Sequence, residues 1–181
     1  MGATIWAYMQ GYKDPRLASY FTTVSGSRFV ALPPTNNNPL NDRAKDGASK
    51  PKVSAASPLF WLRASEVSFL KAEAALYQLT AGDPKALYEE GVTKSFEENG
   101  VSGVASYLQG TQLPSDVKAY TLPYNYQYAC VLSTGNVSPK WNDADTEEMK
   151  LQKIITQKYL ALYPNAVEAW TEYRRTGYPY L

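Results

Sequence analysis

The chain has 181 residues, 44% of them hydrophobic, and a net charge of +1, which fits one globular domain or part of one and disfavours nucleic acid and anionic membrane surfaces as partners. Histidine is absent and Cys130 is the single cysteine. These counts exclude Ser-His and Cys-His catalysis, an intrachain disulfide and zinc held by imidazole or a cysteine cluster. Fifteen tyrosines and four tryptophans are many for this length, and we expect most of them to fill the core.

Residues 1–57 show little hydrophobic periodicity and predict a loop-rich segment. An aspartate before proline favours a turn, so Asp14-Pro15-Arg16 is interpreted as a local turn with a salt bridge between its charged residues. Two adjacent prolines and three successive asparagines make residues 28–53 a long irregular stretch, with one short strand possible over 29–32.

Residues 58–110 predict a helical hairpin followed by a short helix. Ser57-Pro58 is expected to cap a helix that runs to about residue 80. Asp83-Pro84 starts a second helix that ends at residue 99, where a glycine follows. Gly91 is expected to let the two helices approach closely, and the pair has the size of a tetratricopeptide unit.

Glu66 and Glu73 lie two turns apart on one face of the first of these helices, about 10 Å along its axis. Inverting glycosidases hold two carboxyl groups at a comparable separation, roughly 6.5–9.5 Å. The alternative, which we favour, is that each glutamate binds an arginine or a backbone group at a helix contact. No catalytic residue is therefore predicted.

Residues 111–144 predict an aromatic loop, because prolines and a glycine interrupt its evenly spaced tyrosines. Asp143 and Asp145 near its end lack the glycine and the distal glutamate of a calcium loop. No metal and no cofactor is predicted.

Residues 145–181 predict a pair of helices over 146–163 and 165–176 with almost no loop between them. In the first, Asp145 is expected to be the N-cap with Glu148 as its capping-box partner, and Pro164 ends the helix. In the second, Asn165 and Glu168 repeat the capping box.

The second helix of this pair is expected to end at Gly177, with Pro179 beyond it. Trp170 shares an apolar stripe with alanines and Tyr173, and we expect it to anchor the core. The elements together predict an all-α fold with long irregular loops, built from tetratricopeptide-like hairpins in an α-α superhelix.

The C-terminal run QKYLALYPNAVEAWTEYRRTGYP closely resembles the signature of the SusD/RagB family, with Tyr159 in place of a tryptophan and Ala166 in place of a glycine. The runs GYKDPRLASYF and RASEVSFLKAEAAL resemble the family as well. The positions that carry the resemblance, and that it makes structural, are Glu66, Glu73, Tyr163, Pro164, Asn165, Glu168, Trp170, Arg174, Arg175, Gly177 and Pro179.

The resemblance implies the C-terminal portion of a nutrient-binding lipoprotein at the cell surface, which binds glycans and delivers them to a TonB-dependent outer-membrane transporter without cleaving them. The family's signal and lipid anchor would lie outside this chain. Two alternatives stay open: a helical-repeat scaffold that binds protein and no sugar, and a glycoside hydrolase.

Aromatic side chains on loops can face solvent and stack on sugar rings, while neighbouring amides bond to the hydroxyl groups. On this reasoning, the candidates for ligand binding are Trp6, Tyr8, Tyr12, Tyr124, Asn125, Tyr126, Trp141 and Asn142. The alternative is that these rings only pack the loops against the helices.

Overall fold

The structure is a computed structural model that describes residues 1–24, 28–31, 47–58, 60–115, 120–121, 127–128 and 137–181. Its helices are α1 (Ala3–Gly11), α2 (Arg16–Tyr20), α3 (Ala64–Leu76), α4 (Pro84–Glu98), α5 (Val104–Leu108), α6 (Glu147–Ala161) and α7 (Ala166–Thr176). Strands β1 (Tyr120–Thr121) and β2 (Gln127–Tyr128) form a short antiparallel pair. The predicted all-α class is confirmed. No helix in the described ranges is long and apolar enough to cross a bilayer.

Helices α3 and α4 form the predicted antiparallel hairpin, which is the most extensive helix contact in the fold. Gly91 on α4 is the reason that they pack so closely, because a Cβ there would lie 2.7–2.9 Å from three ring atoms of Phe69 on α3. Phe69 in turn packs edge-on against Tyr88, with ring centroids 6.3 Å apart. The expected role of Gly91 is confirmed.

Replacing Gly91 with alanine tests this packing. Alanine favours a helix interior over glycine by about 1 kcal/mol. Overpacking against a ring that other side chains enclose costs about 1–3 kcal/mol. We therefore expect a net loss of stability for Gly91→Ala in urea unfolding. The double variant with Phe69→Leu should lose less than the two single changes added together, and strict additivity would contradict the close contact.

The start of α3 differs from the prediction. The helix begins at Ala64, with Arg63 in the N-cap position, and not at Pro58. The Ser57 hydroxyl is used elsewhere, since it accepts a hydrogen bond of 2.9 Å from the backbone N–H of Ser54. Phe60, Trp61 and Leu62 are exposed, and Trp61 retains 92% of its surface.

The C-terminal helix pair has the predicted order, with caps that are partly different. Thr146 and not Asp145 caps α6, since its hydroxyl accepts from the N–H of Met149 at 3.2 Å. The expected Asn165 cap and Gly177 terminus of α7 are confirmed: Asn165 accepts from the N–H of Glu168 at 3.3 Å, and Gly177 takes a left-handed φ of 77°. The predicted bond from Glu168 back to Asn165 is wrong, because the N–H of Asn165 donates to the carbonyl of Leu162.

Trp170 is not the core anchor that the sequence predicts, because 55% of its surface is exposed. Helix α6 packs mainly against α3 and touches α7 much less. The apolar stripe of α7 therefore has little to cover it within the described part of the chain. Trp170 instead stacks on Tyr173 of the same helix, with centroids 5.5 Å apart and an interplanar angle of 26°.

Helix α7 is held largely by charged contacts. Lys158 of α6 lies 2.8 Å from Glu172, and Arg175 lies 2.6 Å from the other oxygen of the same carboxylate. Arg175 also binds both carboxylate oxygens of Glu73 on α3, at 2.5 and 2.8 Å. These ion pairs connect α7 to both of the helices beneath it.

The N-terminal segment, predicted to be loop-rich, contains helices α1 and α2, and both bury apolar side chains. The predicted Asp14–Arg16 salt bridge is present at 2.6 Å, but both side chains are fully buried. Arg16 also donates to Ser95 at 2.8 Å and to Gln157 at 3.0 Å. A pair expected in a local turn is thus also the polar centre of the core, joining α2, α4 and α6.

Candidate ligand-binding surfaces

Tyr8 and Tyr12, predicted to face a ligand, lie in the core. Both belong to α1 or its C-terminal end, and neither ring has appreciable exposed surface. Their hydroxyls donate to backbone carbonyls, Tyr8 to Tyr180 at 3.2 Å and Tyr12 to Val137 at 2.9 Å. Burial and the nearby Tyr8 raise the pKa of Tyr12, so its hydroxyl stays a neutral donor. The expected exposure of these two rings is wrong because their segment is helical.

Trp6 lies on another side of α1 and is half-buried beside the alanine cluster of Ala3, Ala7 and Ala31. Its indole Nε1 is buried and has no hydrogen-bond partner among the described residues. The expectation that it sits in an irregular segment is wrong as well, although part of the ring remains accessible.

Trp141 and Asn142 follow the aromatic loop and have different environments. Trp141 is buried, packs on Tyr88 with centroids 5.3 Å apart, and donates from Nε1 to Asp143 at 2.9 Å. The faces of its ring are used in packing, so Trp141 can line a site but does not offer a free face for a sugar ring. Asn142 is exposed, and its carbonyl accepts from the N–H of Ala144 at 3.1 Å.

Tyr124, Asn125 and Tyr126 lie outside the described residues. In sequence they stand between β1 and β2, the two strands that pair with each other. Their assignment as ligand contacts stays a prediction.

A polar cleft of about 370 Å³ lies where the aromatic loop leaves and rejoins the helices. This polar cleft has the size of a small-molecule site, which is typically roughly 300–1,000 Å³. Its lining combines hydroxyl, amide, carboxylate and ammonium groups with one indole: Thr111, Val137, Ser138, Lys140, Trp141, Asn142, Asp145, Met149 and Lys153. Such a mixture can hydrogen-bond to the hydroxyl groups of a sugar while excluding water from one face.

The charge at the base of the polar cleft comes from a buried pair. The Lys153 ammonium lies 2.6 Å from the Asp145 carboxylate and 2.5 Å from the carbonyl oxygen of Lys140. Both side chains of the pair are more than nine-tenths buried. The pairing engages the Asp145 carboxylate, which explains why Asp145 does not cap α6.

Sequence reasoning missed Lys153. At 3.6 residues per turn, Lys153 lies on the side of α6 opposite to the apolar stripe of Leu151 and Ile155, where a lysine is ordinarily exposed. It is buried because Asp145 and the carbonyl oxygen of Lys140 lie against it.

A second surface is an apolar groove of about 490 Å³ between α7 and the start of α1. One wall is the exposed stripe of α7 with Trp170 and Tyr173, and the other contains Met1, Gly2 and Ile5. Aromatic and proline residues make up most of the remainder: Phe21, Pro51, Tyr159, Tyr163, Pro164 and Pro179. This apolar groove offers contact area with few polar groups.

Glu66 and Glu73 have different environments on α3. Glu73 is engaged by Arg175 through two hydrogen bonds. Burial raises the pKa of Glu66, and the nearby Lys158 partly opposes that shift. The structural interpretation, in which such glutamates hold helices together, is confirmed for Glu73. The described residues contain no group of three acidic, cysteine or histidine side chains that could bind a metal ion.

Comparison with known proteins identifies relatives of the whole chain. A family model described as "SusD-like: Susd and RagB outer membrane lipoprotein" matches residues 1–181. A comparison with curated proteins finds no match. The solved structure titled "Structure of BT1043" is 56% identical, with a TM-score of 0.86 over 100% of this chain and 38% of that one.

Two further solved structures have the same relationship. A SusD homologue (BT1281) from Bacteroides thetaiotaomicron is 41% identical, with a TM-score of 0.88 over 99% of this chain and 38% of that one. A chitin-binding SusD homologue from Flavobacterium johnsoniae is 37% identical, with a TM-score of 0.81 over 100% of this chain and 38% of that one. The chain thus spans less than two fifths of these relatives, and it belongs to the SusD/RagB family of outer-membrane lipoproteins.

Proposed function

We propose that the chain is the C-terminal portion of a glycan-binding protein at the outer-membrane surface, which delivers its ligand to a TonB-dependent transporter. The observation that carries this proposal is the similarity to a chitin-binding SusD homologue over the entire chain at 37% identity. A lipid anchor of the kind named in the family description would hold the parent protein at the membrane.

Within this chain, the polar cleft is the surface best suited to a sugar. It presents Asn142 and the hydroxyls of Thr111 and Ser138 next to the buried Lys153–Asp145 pair. The segment that carries Tyr124, Asn125 and Tyr126 connects the two sides of the polar cleft, since Thr111 precedes it and Val137 follows it. The proposed site combines these loop residues with the polar cleft.

The ion pairs made by the acidic side chains support binding without cleavage. A glycosidase needs two carboxyl groups that face one bound sugar. Glu73 is held by Arg175, and Asp145 is held by Lys153. The proposed activity is therefore binding and delivery.

The proposal is tested by titrating the whole gene product with a panel of oligosaccharides, including chito-oligosaccharides, by calorimetry. Loss of one stacking ring removes about 0.5–1.5 kcal/mol, so Tyr126→Ala should weaken binding roughly 2- to 10-fold. Asn142→Ala should weaken it by a similar factor through a lost hydrogen bond.

Trp61→Ala is the matched control, because this tryptophan is 92% exposed and lines neither surface. Its affinity should equal that of the wild type. If no sugar in the panel binds, glycan binding is contradicted. The alternative of a protein-binding scaffold, which the apolar groove supports, is then favoured. If Tyr126→Ala and Asn142→Ala bind the sugar as tightly as the wild type, the ligand site does not include these two residues.

A further inference from the structure

The apolar groove is a surface that the proposed function does not use. Helix α7 separates apolar from polar residues more sharply than the other helices, yet its apolar stripe lies open. Trp170 retains 55% of its surface there. An exposed aromatic stripe of this kind marks a contact surface.

The chemistry of the groove fits a polypeptide better than a sugar. Its walls are aromatic, proline and aliphatic, and the Asn165 side chain on its rim is already used to cap α7. Apolar side chains of an inserted segment would fill the volume of the groove.

The position of the groove indicates which polypeptide could occupy it. The chain spans only 38% of the length of its relatives, so most of each relative lies outside the matched region. Met1 and Gly2 form part of the groove wall. A segment joined to Met1 would therefore leave the fold beside Trp170.

We propose that the apolar groove is an internal interface, covered by a segment of the parent polypeptide that lies outside residues 1–181. The proposal rests on the proposed function in one respect, namely that the chain is part of a larger SusD/RagB protein. In the parent, Trp170 and Tyr173 are buried against that segment. The ligand site and the apolar groove are then separate surfaces with separate occupants.

The test is hydroxyl-radical footprinting of the whole gene product without added sugar, with oxidation at each tryptophan measured by mass spectrometry. N-acetyltryptophanamide in the same solution is the reference for a fully exposed ring. We expect Trp170 to be oxidised several-fold more slowly than this reference. Oxidation of Trp170 at close to the reference rate would overturn the proposal, whatever sugar the protein binds.

Two further measurements distinguish the alternative occupants of the apolar groove, a second copy of the protein and the sugar ligand. Protection of Trp170 that depends on protein concentration would assign the groove to a second copy, and protection only after oligosaccharide is added would assign it to the ligand. Either result overturns the proposal. Protection without sugar in a protein that binds no glycan would support the interface and contradict the proposed function.

A pair of substitutions provides an independent measurement on the same gene product. Trp170→Ala should lower the Tm by several degrees, because it opens a cavity in a covered interface. Val167→Ala, on an exposed part of the same helix outside the groove, should leave the Tm nearly unchanged. Equal Tm values for the two variants would contradict the interface.

Discussion

Arg16→Met is expected to destabilise the protein by about 3–5 kcal/mol, the cost of removing one partner from a buried ion pair. The Asp14 carboxyl group would stay in a fully buried position without the guanidinium 2.6 Å away. Ser95 and Gln157 would each lose a hydrogen bond from the same group. Urea unfolding of wild type and variant measures the difference.

Two controls separate this effect from the loss of any arginine. Arg174→Met removes an exposed arginine and should change stability by no more than about 0.5 kcal/mol. The double variant Asp14→Asn/Arg16→Met leaves no unpaired charge, so it should recover part of the loss. A double variant as unstable as the sum of its single changes would show that the ion pair is not the source of the effect.

Glu172→Gln is expected to cost on the order of 3 kcal/mol at neutral pH, for the same reason. The Lys158 ammonium is 1% exposed, and its remaining carboxylate neighbour, Glu168, is farther away at 3.6 Å. Arg175 would lose the same carboxylate, so α7 would lose charged contacts to α6 and within itself. Calorimetric or urea unfolding measures the loss.

The pH dependence gives this prediction a second readout. Burial alone would raise the pKa of Glu172, but hydrogen bonds from Lys158 and Arg175 outweigh it and lower the pKa below the ordinary value of 4.5. A carboxyl with a lowered pKa stabilises the fold at pH values above 4.5, and that contribution disappears as the pH falls through the folded-state pKa. The stability gap between wild type and Glu172→Gln should therefore close in acid.

The stabilities of wild type and Glu172→Gln have to be compared at each pH, because the titration of Glu66 changes stability in the opposite direction. Burial raises its pKa, so its own contribution to stability is greatest below 4.5 and falls as the pH rises. The variant retains Glu66, so much of that effect cancels in the difference. A gap that is independent of pH between 3 and 7 would contradict the role assigned to Glu172.

Local signals in the sequence predicted local features correctly. The helix ends at Asp83, Asn165 and Gly177 depend on residues within one turn of each other. The neighbouring residues in the sequence are therefore sufficient to predict them. The small residue at Gly91 likewise indicated a close helix contact. The predicted cap at Ser57 was wrong because the Ser57 hydroxyl accepts a hydrogen bond from Ser54 instead.

Features that depend on distant residues were not predictable in the same way. An apolar stripe shows which face of a helix avoids water, but not what covers that face, and this is why Trp170 was expected in the core. Arg16 and Lys153 are buried because of partners supplied by other elements, and nothing near them in sequence shows that. The tyrosines of α1 were misassigned together with the secondary structure of their segment.

The guanidinium group of Arg16 also affects how the chain folds. In a solenoid, each repeat contacts only its neighbours, and the stability of the whole is close to a sum over repeats. Arg16 instead bonds to Ser95 and Gln157, which lie 79 and 141 residues further along the chain. The core closes only when the two ends of the sequence have met, which raises the contact order and slows folding. Although it contains a repeat-like hairpin, the protein should unfold as one cooperative unit.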